Sequence, residues 1–178
     1  PIKKKGLIII AVPTLLTIGL LLILNRIGSA LDDATYWTVH SQGVLAKVEA
    51  AAGGLVAIHG ENLQLALLGT SDSAFEIELR SQAVREALAE LQVATQDNTP
   101  QTEAVAALAF GATSLITDLS MTHQTLRQGN QAEGASRAAS DDRKLHHVLD
   151  EVASIKVVER RLAIERLDRA GQLSQQRR

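Results

Sequence analysis

The feature that most constrains this sequence is an uncharged, apolar run near its amino end. The run reads LIIIAVPTLLTIGLLLIL from Leu7 to Leu24 and follows three lysines at positions 3–5. A helix rises about 1.5 Å per residue, so about 20 residues cross the roughly 30 Å hydrocarbon core of a bilayer. The sequence therefore predicts a transmembrane anchor at residues 6–26, formed by Leu7, Ile8, Ile9, Ile10, Leu15, Leu16, Leu20, Leu21, Leu22 and Leu24.

The charges beside the anchor predict its orientation. Lysine and arginine are enriched on the cytoplasmic side of membrane helices, so residues 1–5 are expected to form a basic cytoplasmic flank. A cleaved signal peptide is the alternative, because Gly28, Ser29 and Ala30 are small, although secretory apolar segments usually span only about 7–15 residues. Both interpretations place the rest of the chain outside the cytoplasm. The expected location is the bacterial inner (cell) membrane, crossed once, with the remainder periplasmic or extracellular.

The composition predicts the fold class. Aromatic residues make up only 2% of the chain, so its core has to be built from Ala, Leu, Val and Ile, which favours helices packed side by side. Four of the 18 basic residues lie before position 27, where no acidic residue occurs, which leaves 14 basic against 20 acidic side chains beyond it. This balance argues against a nucleic-acid partner, because binding phosphates requires a basic surface.

Turn signals divide the remaining chain into four predicted helices, at about 29–68, 73–96, 100–128 and 136–175. Gly69 can end the first helix, Thr99 can cap the third with Pro100 in its first position, and the string GNQAEG at 129–134 is a flexible connection. Short links predict an antiparallel up-and-down four-helix bundle. The expectation is an all-α chain, with an N-terminal transmembrane helix continuing into an extracytoplasmic domain at 27–178.

Apolar residues recur at steps of three and four in each predicted helix, which indicates one buried stripe per helix. The clearest stripe belongs to the third helix, and the fourth resembles it. The stripes comprise Val44, Val48, Leu55, Ile58, Leu65 and Leu68; Ile77, Val84, Leu88 and Leu91; Val105, Leu108, Ala112, Leu115, Leu119, Thr122 and Leu126; and Leu145, Val148, Val152, Ile155, Val158 and Leu162.

Four segments of the chain resemble the third class of CHASE domains, the cyclase/histidine-kinase-associated sensory extracellular domains. Trp37 and His40 open the first long helix in WTVHSQGVLAKVEA, and a Leu-rich segment ends in glycine as LALLG at 65–69. The turn DNTPQ at 97–101 precedes the third helix, and VVERRLAIER at 157–166 lies in the last. The family string D-A-E-x-G-x-R-G-Y is replaced by AIHGENLQL at 57–65, so the chain resembles a divergent member.

The resemblance implies a sensory bundle between two membrane helices, followed by a cytoplasmic kinase, cyclase or related output domain. A second span and that output domain are therefore expected after residue 178. Signalling through membrane helices also implies a homodimer, with the lipid bilayer as a further partner and an unidentified periplasmic ligand or protein as another.

Motifs for catalysis and metal binding are missing from the sequence. The histidines at 40, 59, 123, 146 and 147 do not have the spacing of a metal site, and there is no nucleophile elbow or phosphate-binding loop, so no enzyme, cofactor or metal is predicted. Gly53-Gly54 is expected to allow close helix packing. Four glutamates and two arginines between Glu76 and Glu90 predict a solvated face with local ion pairs.

One short segment is a candidate input or ligand region. His59, near the middle of the first helix and beside the stripe residue Ile58, lies close to Glu61 and Asn62 in a stretch otherwise rich in small residues. Either a buried, hydrogen-bonded histidine or a ligand contact would explain this pattern. The leading functional hypothesis is a signal-input module of a membrane-bound signalling protein; the alternatives are an anchored helical scaffold and the ligand-binding bundle of a chemoreceptor.

Overall fold

The computed structural model describes residues 2–69, 74–96 and 98–175, and the side chains within them except those of 2–13, 30, 31, 74 and 170–175. These residues form four helices and no strand: α1 (Ile2–Leu68), α2 (Ala74–Ala94), α3 (Thr99–Arg127) and α4 (Gln131–Gln175). The all-α prediction is confirmed, and the arrangement fits a helical bundle. The chain divides into two compact units, one of residues Pro1–Val39 with Leu162–Arg178 and one of His40–Arg161.

The second unit contains an aliphatic core. Its buried apolar side chains are Ala, Val, Leu and Ile from all four helices, as the low aromatic content predicts. Each fully buried Val, Leu or Ile side chain contributes about 1.5–3 kcal/mol to the hydrophobic stabilisation of the fold. The largest include Leu55, Ile58, Leu91, Leu108, Leu115, Ile116 and Leu119.

The predicted stripes are confirmed except at two helix ends. All seven stripe residues of α3 and all four of α2 are buried. Leu68 is instead 70% exposed, because α1 ends there and Gly69 turns the chain away with a φ of +69°. In α4 the stripe continues from Ile155 to Glu159, which is buried, while Val158 and Leu162 are only half-buried. The predicted stripe thus has Val158 as the buried residue after Ile155, one residue before the actual one, Glu159.

The turn before α3 differs by one residue from its prediction. Asn98, not Thr99, is the residue preceding the helix, and Pro100 takes its second position. The hydroxyl that organises this turn belongs to Thr102, which donates to the carbonyl oxygens of Thr95 (2.6 Å) and Asn98 (3.1 Å). The residues before α2 at 70–73, with the predicted helix start at 73, and residue 97 before α3 lie outside the described residues.

The connection between α3 and α4 is shorter than predicted. Gly129 has a φ of +86° and ends α3, but α4 already begins at Gln131, five residues before the expected start. Gly134, assigned to the flexible connection, is buried inside α4, where a Cβ atom would overlap the side chain of Leu126. This glycine allows close helix packing. Gly54 does the same against Val84, whereas Gly53 is exposed and the expectation for it is wrong.

The apolar amino-terminal part of α1 carries exposed side chains. Six of the predicted anchor residues are 54–70% exposed, namely Leu15, Leu16, Leu20, Leu21, Leu22 and Leu24; the side chains of Leu7, Ile8, Ile9 and Ile10 lie outside the described set. Among the residues whose side chains the structure describes, two helices are long and apolar enough to cross a membrane, α1 from Thr14 onward and α3. The apolar stripe of α3 is buried in the aliphatic core of its own unit, which accounts for its hydrophobicity.

Candidate functional site

The three residues of the candidate region each contact a different helix. Within one turn of α1, His59 faces Asp142 on α4, Glu61 pairs with Arg80 on α2, and Asn62 bonds to α3. Residues 59 and 62 lie three positions apart and therefore share one face of α1, whereas residue 61 is turned toward a neighbouring face. This turn therefore joins α1 by polar contacts to all three other helices.

Asn62 is fully buried and forms two contacts with α3. Its Nδ2 donates a hydrogen bond of 2.8 Å to the backbone carbonyl of Leu119, which fixes the orientation of the amide because a carbonyl only accepts. Its Oδ1 then faces Nδ1 of His123 at 3.2 Å. Since this oxygen is an acceptor, Nδ1 of His123 carries the proton that it donates.

His123 is buried on α3 as a neutral imidazole. Burial lowers its pKa from the ordinary value, and the positive charge of Arg127 lowers it further. Both causes disfavour the imidazolium form, so the ring keeps its proton on Nδ1 and leaves Nε2 as an unprotonated acceptor. The ring therefore holds the Asn62 side chain by hydrogen bonding and not by charge.

His59 is buried on α1 and approaches a carboxylate at the protein surface. Its side chain is 6% exposed, and its Nε2 lies 3.3 Å from Oδ1 of Asp142, whose side chain is 49% exposed. The other carboxylate oxygen of Asp142 lies 3.7 Å from Nδ1 of His146, which is exposed one turn further along α4. Asp142 is thus bracketed by one buried and one exposed histidine.

Asp141, next to Asp142, is a buried carboxyl group. It accepts a hydrogen bond of 2.6 Å from the hydroxyl of Thr122 on α3. Its pKa is raised above the ordinary value chiefly by burial; the Thr122 hydrogen bond opposes this rise, the charge of Asp118 adds to it, and Lys144 and His59 oppose it. A charge on Asp141 is therefore costly, and its cost depends on the cations nearby.

Glu61 links α1 to α2 through a guanidinium group. Its Oε1 lies 2.9 Å from Nε of Arg80, and its side chain is only 11% exposed. Arg80 also lies 3.5 Å from Glu76, one turn earlier on α2, and Arg85 pairs with Glu78 at 3.3 Å. The local ion pairs expected on α2 are thus confirmed for two of the glutamates, while the pairing of Arg80 with α1 was not foreseen.

Several residues of this site were missed by the sequence reasoning. The sequence pattern predicts burial of Thr122 but no polar role for it, and it singles out neither Asp141 nor His123. Asp141 lies four residues before Leu145, so extending the α4 stripe backwards reaches it, as extending it forwards reaches Glu159. Glu159 accepts a hydrogen bond from Gln101 of α3. A polar residue in register with an apolar stripe was the available signal.

Of the remaining histidines, His146 and His147 are exposed and His40 is half-buried. Within the part of the chain that the structure describes, no group of three or more His, Asp or Glu side chains is arranged to hold a metal ion.

Comparison with known proteins adds no relative. No protein-family model matches the chain, and neither a curated protein nor a solved structure matches it.

Proposed function

We propose that this chain is the extracytoplasmic input module of a membrane-bound bacterial signalling protein, of the kind that the CHASE resemblance implies. The observation that carries the proposal is the polar turn of α1, residues 59–62, within the aliphatic core unit: it forms an ion pair with α2, a hydrogen bond with α3 and a close polar contact with α4. Buried polar groups stabilise a fold less than apolar groups of the same size, but they define discrete hydrogen-bonding arrangements. A module that changes between two packings needs such an element.

The proposed topology is an antiparallel, up-and-down bundle. Its support comes from contacts at both ends of the core unit: Glu49 of α1 pairs with Lys156 of α4 at 2.8 Å, whereas His59, further along α1, faces Asp142, earlier on α4. Between α3 and α4, Gln101 hydrogen-bonds Glu159, and Thr122, later on α3, hydrogen-bonds Asp141, earlier on α4. The order of the contacts along α4 is again the reverse of their order along α3. In this topology the beginning of α1 and the end of α4 are on the same side of the bundle.

The proposed anchor is the first part of α1. Its support is the unbroken helix from Ile2 to Leu68, the exposed leucines between positions 15 and 24, and the lysines at 3–5. With the lysines inside, the core unit lies outside the cytoplasmic membrane. We further propose that two copies act together as a homodimer, because a change in helix packing is then converted into a change between the two anchors.

The proposed mechanism is a small shift of α1 against its neighbours. Helix displacements of about 1–2 Å are common in switching proteins. A stimulus that favours one packing by about 1.4 kcal/mol changes the ratio of the two states about tenfold. No step of this mechanism requires catalysis by the chain itself, so its chemistry is confined to binding and packing.

The alternative is an anchored scaffold, in which the polar turn serves only to fix the structure. The gene beyond Arg178 separates these two roles: the input module requires a second hydrophobic span and an output domain, and a stop codon at that point would contradict it. The same sequence separates a kinase or cyclase partner from a chemoreceptor output.

A functional experiment tests the proposal directly. The whole chain is joined after Arg178 to a second span and a kinase output with a reporter gene, and Asn62→Leu is compared with Gln64→Leu. Both variants replace an amide by leucine on α1, but Asn62 is buried and Gln64 exposed. We expect Asn62→Leu to change reporter output several-fold and Gln64→Leu to leave it unchanged. Equal output from all three proteins at equal abundance would favour the scaffold.

A further inference from the structure

We propose that His59, together with Asp142 and Asp141, forms a proton-responsive contact between α1 and α4, so that the stimulus of the module is the proton concentration outside the membrane. This inference rests on the proposed input function and names its stimulus. Protonation of the imidazole is expected to draw α1 and α4 together, and its loss to release them.

Charged groups in the contacts described for this region lie on all four helices. Two of the carboxylates have fixed cationic partners, because Glu61 pairs with Arg80 and Asp118 pairs with Lys144 at 2.6 Å. Among the described residues, the ion-pair partners of Asp142 are two histidines, His59 and His146. The charged and titratable groups that these contacts and electrostatic interactions include, beside His59, are Glu61 on α1; Arg80 on α2; Asp118, His123 and Arg127 on α3; and Asp141, Asp142, Lys144 and His146 on α4.

The expected effect of a proton follows from this arrangement. Histidine is the side chain that ordinarily changes charge between about pH 5 and 8. When His59 is charged, its contact with Asp142 becomes a charge-assisted pair, and the cation also favours the ionised form of Asp141, whose pKa it lowers. When His59 is neutral, the two adjacent carboxylates lose this cation, and burial opposes the charge on Asp141. The α1–α4 contact is then weaker.

Asp142 gives protons a route from solvent to the buried imidazole of His59. The imidazole is almost completely buried, but the carboxylate of Asp142 is half exposed and reaches solvent. Protons can therefore exchange with His59 through a surface group, without opening the aliphatic core.

The second buried histidine makes the response selective. Burial and Arg127 both lower the pKa of His123, which favours its neutral form. In that form its hydrogen bond to Asn62 holds α1 to α3. Protonation is thus expected to change the packing of α1 against α4, while the packing of α1 against α3 is retained.

Distance measurements on the whole chain in lipid nanodiscs test this inference. The sequence has no cysteine, so pairs of spin labels can be introduced at exposed positions. Leu63→Cys with Ala139→Cys reports α1–α4, and Leu63→Cys with Gln124→Cys reports α1–α3. Between about pH 8 and 5 we expect the mean α1–α4 distance to shorten by about 1–2 Å, with the α1–α3 distance unchanged.

Three substitutions assign the response to the buried histidine. His59→Gln and Asp142→Asn should each abolish the pH-dependent shift, the second without altering the imidazole itself. His146→Gln is the matched control, because this exposed histidine contacts the same carboxylate from the same helix; the shift should persist. An α1–α4 distance that is identical at both pH values, or a shift that survives His59→Gln and Asp142→Asn, would overturn the proposal.

Reporter output separates this inference from the proposed function. In the kinase fusion, output that varies with external pH in the wild type but not in Asp142→Asn supports both. A pH-dependent distance with constant output would leave the proton contact standing and contradict the input function. Output that responds to Asn62→Leu, with no pH-dependent distance, would overturn the proton contact alone.

Discussion

Asn62 and His123 form a buried pair in which each residue determines the state of the other. The amide donates to the Leu119 carbonyl and presents its oxygen to Nδ1 of the imidazole, 3.2 Å away, so amide orientation and histidine tautomer are fixed together. Removing one partner leaves the other buried without its hydrogen bond, at a cost of about 1–3 kcal/mol. Replacing both side chains by apolar ones leaves neither of them as a buried polar group without a partner.

A double-mutant cycle on this pair is the first prediction. Asn62→Leu and His123→Leu are each expected to lower the free energy of unfolding by about 1–3 kcal/mol, and the double variant by less than their sum. Urea unfolding of the four proteins in the same detergent measures the coupling. Additive losses would show that the two side chains do not stabilise each other.

The second prediction concerns stability in acid. The folded-state pKa of His123 lies below its ordinary value of 6.5. The unfolded chain therefore takes up this proton more readily, so the free energy of unfolding falls as the pH drops below 6.5. His123→Asn keeps an amide donor toward Asn62 and removes this titration. Urea unfolding at about pH 7.5 and about pH 5.5 should show a smaller loss in the variant; equal losses would contradict the assignment.

Asp141 gives a third prediction, of opposite sign. Its folded-state pKa lies above the ordinary 3.8, so the unfolded chain loses its proton first as the pH rises. The free energy of unfolding therefore falls as the pH rises from the ordinary pKa of an aspartate to the higher folded-state pKa of Asp141, and the loss persists at neutral pH. Asp141→Asn can still accept from Thr122 and should raise Tm at neutral pH by about 2–4 °C, equivalent to about 1 kcal/mol. Asp150→Asn, an exposed change on the same helix, should not.

Glycine substitutions provide a fourth prediction. Gly134→Ala should destabilise the fold by about 1–3 kcal/mol, because the new methyl group would overlap Leu126. Gly53→Ala has open space around it and should stabilise α1 by about 0.5–1 kcal/mol. Thermal unfolding of both variants compares the two positions. A neutral Gly134→Ala would mean that α3 and α4 are not held at this close approach.

The fifth prediction concerns membrane topology. An alkaline phosphatase fused after Arg178 should be active, because a single span with its lysines inside places residue 178 outside the cytoplasm. A fluorescent protein that requires the cytoplasm should be dark at the same position. If α3 crossed the membrane as well as α1, the chain would return inside and the two readouts would be reversed.

The sequence predicts most of the core and only part of the site, for a physical reason. The α3 stripe from Val105 to Leu126 was predictable because burial of aliphatic side chains is repeated at every step. Asp141 and Glu159 interrupt the same kind of repeat with a carboxyl group, and their neighbours on α3, Thr122 and Gln101, donate hydrogen bonds that offset the cost of burying it. Such compensation is a property of two helices together and is not visible in either one.

Local rules also failed where a tertiary contact decides the outcome. Gly134 was assigned to a loop from its flexibility, but the contact with Leu126 requires a residue without Cβ inside a helix. His59, Glu61 and Asn62 were selected as a group from their closeness in sequence. The three different helices that these side chains contact cannot be predicted from the sequence of α1 alone.

The position of Asn62 has a consequence for the alignment of α1 in the core. Val44, Val48, Ala51, Leu55, Ile58, Asn62 and Leu65 follow one another at steps of four and three, and all are buried. Because such a repeat returns every seven residues, the aliphatic stripe by itself also matches α1 shifted by two turns. The shift would put Leu55 opposite the His123 imidazole and leave the imidazole N–H without an acceptor. The Asn62 amide thus distinguishes two alignments of α1 in the core that the aliphatic stripe by itself does not distinguish.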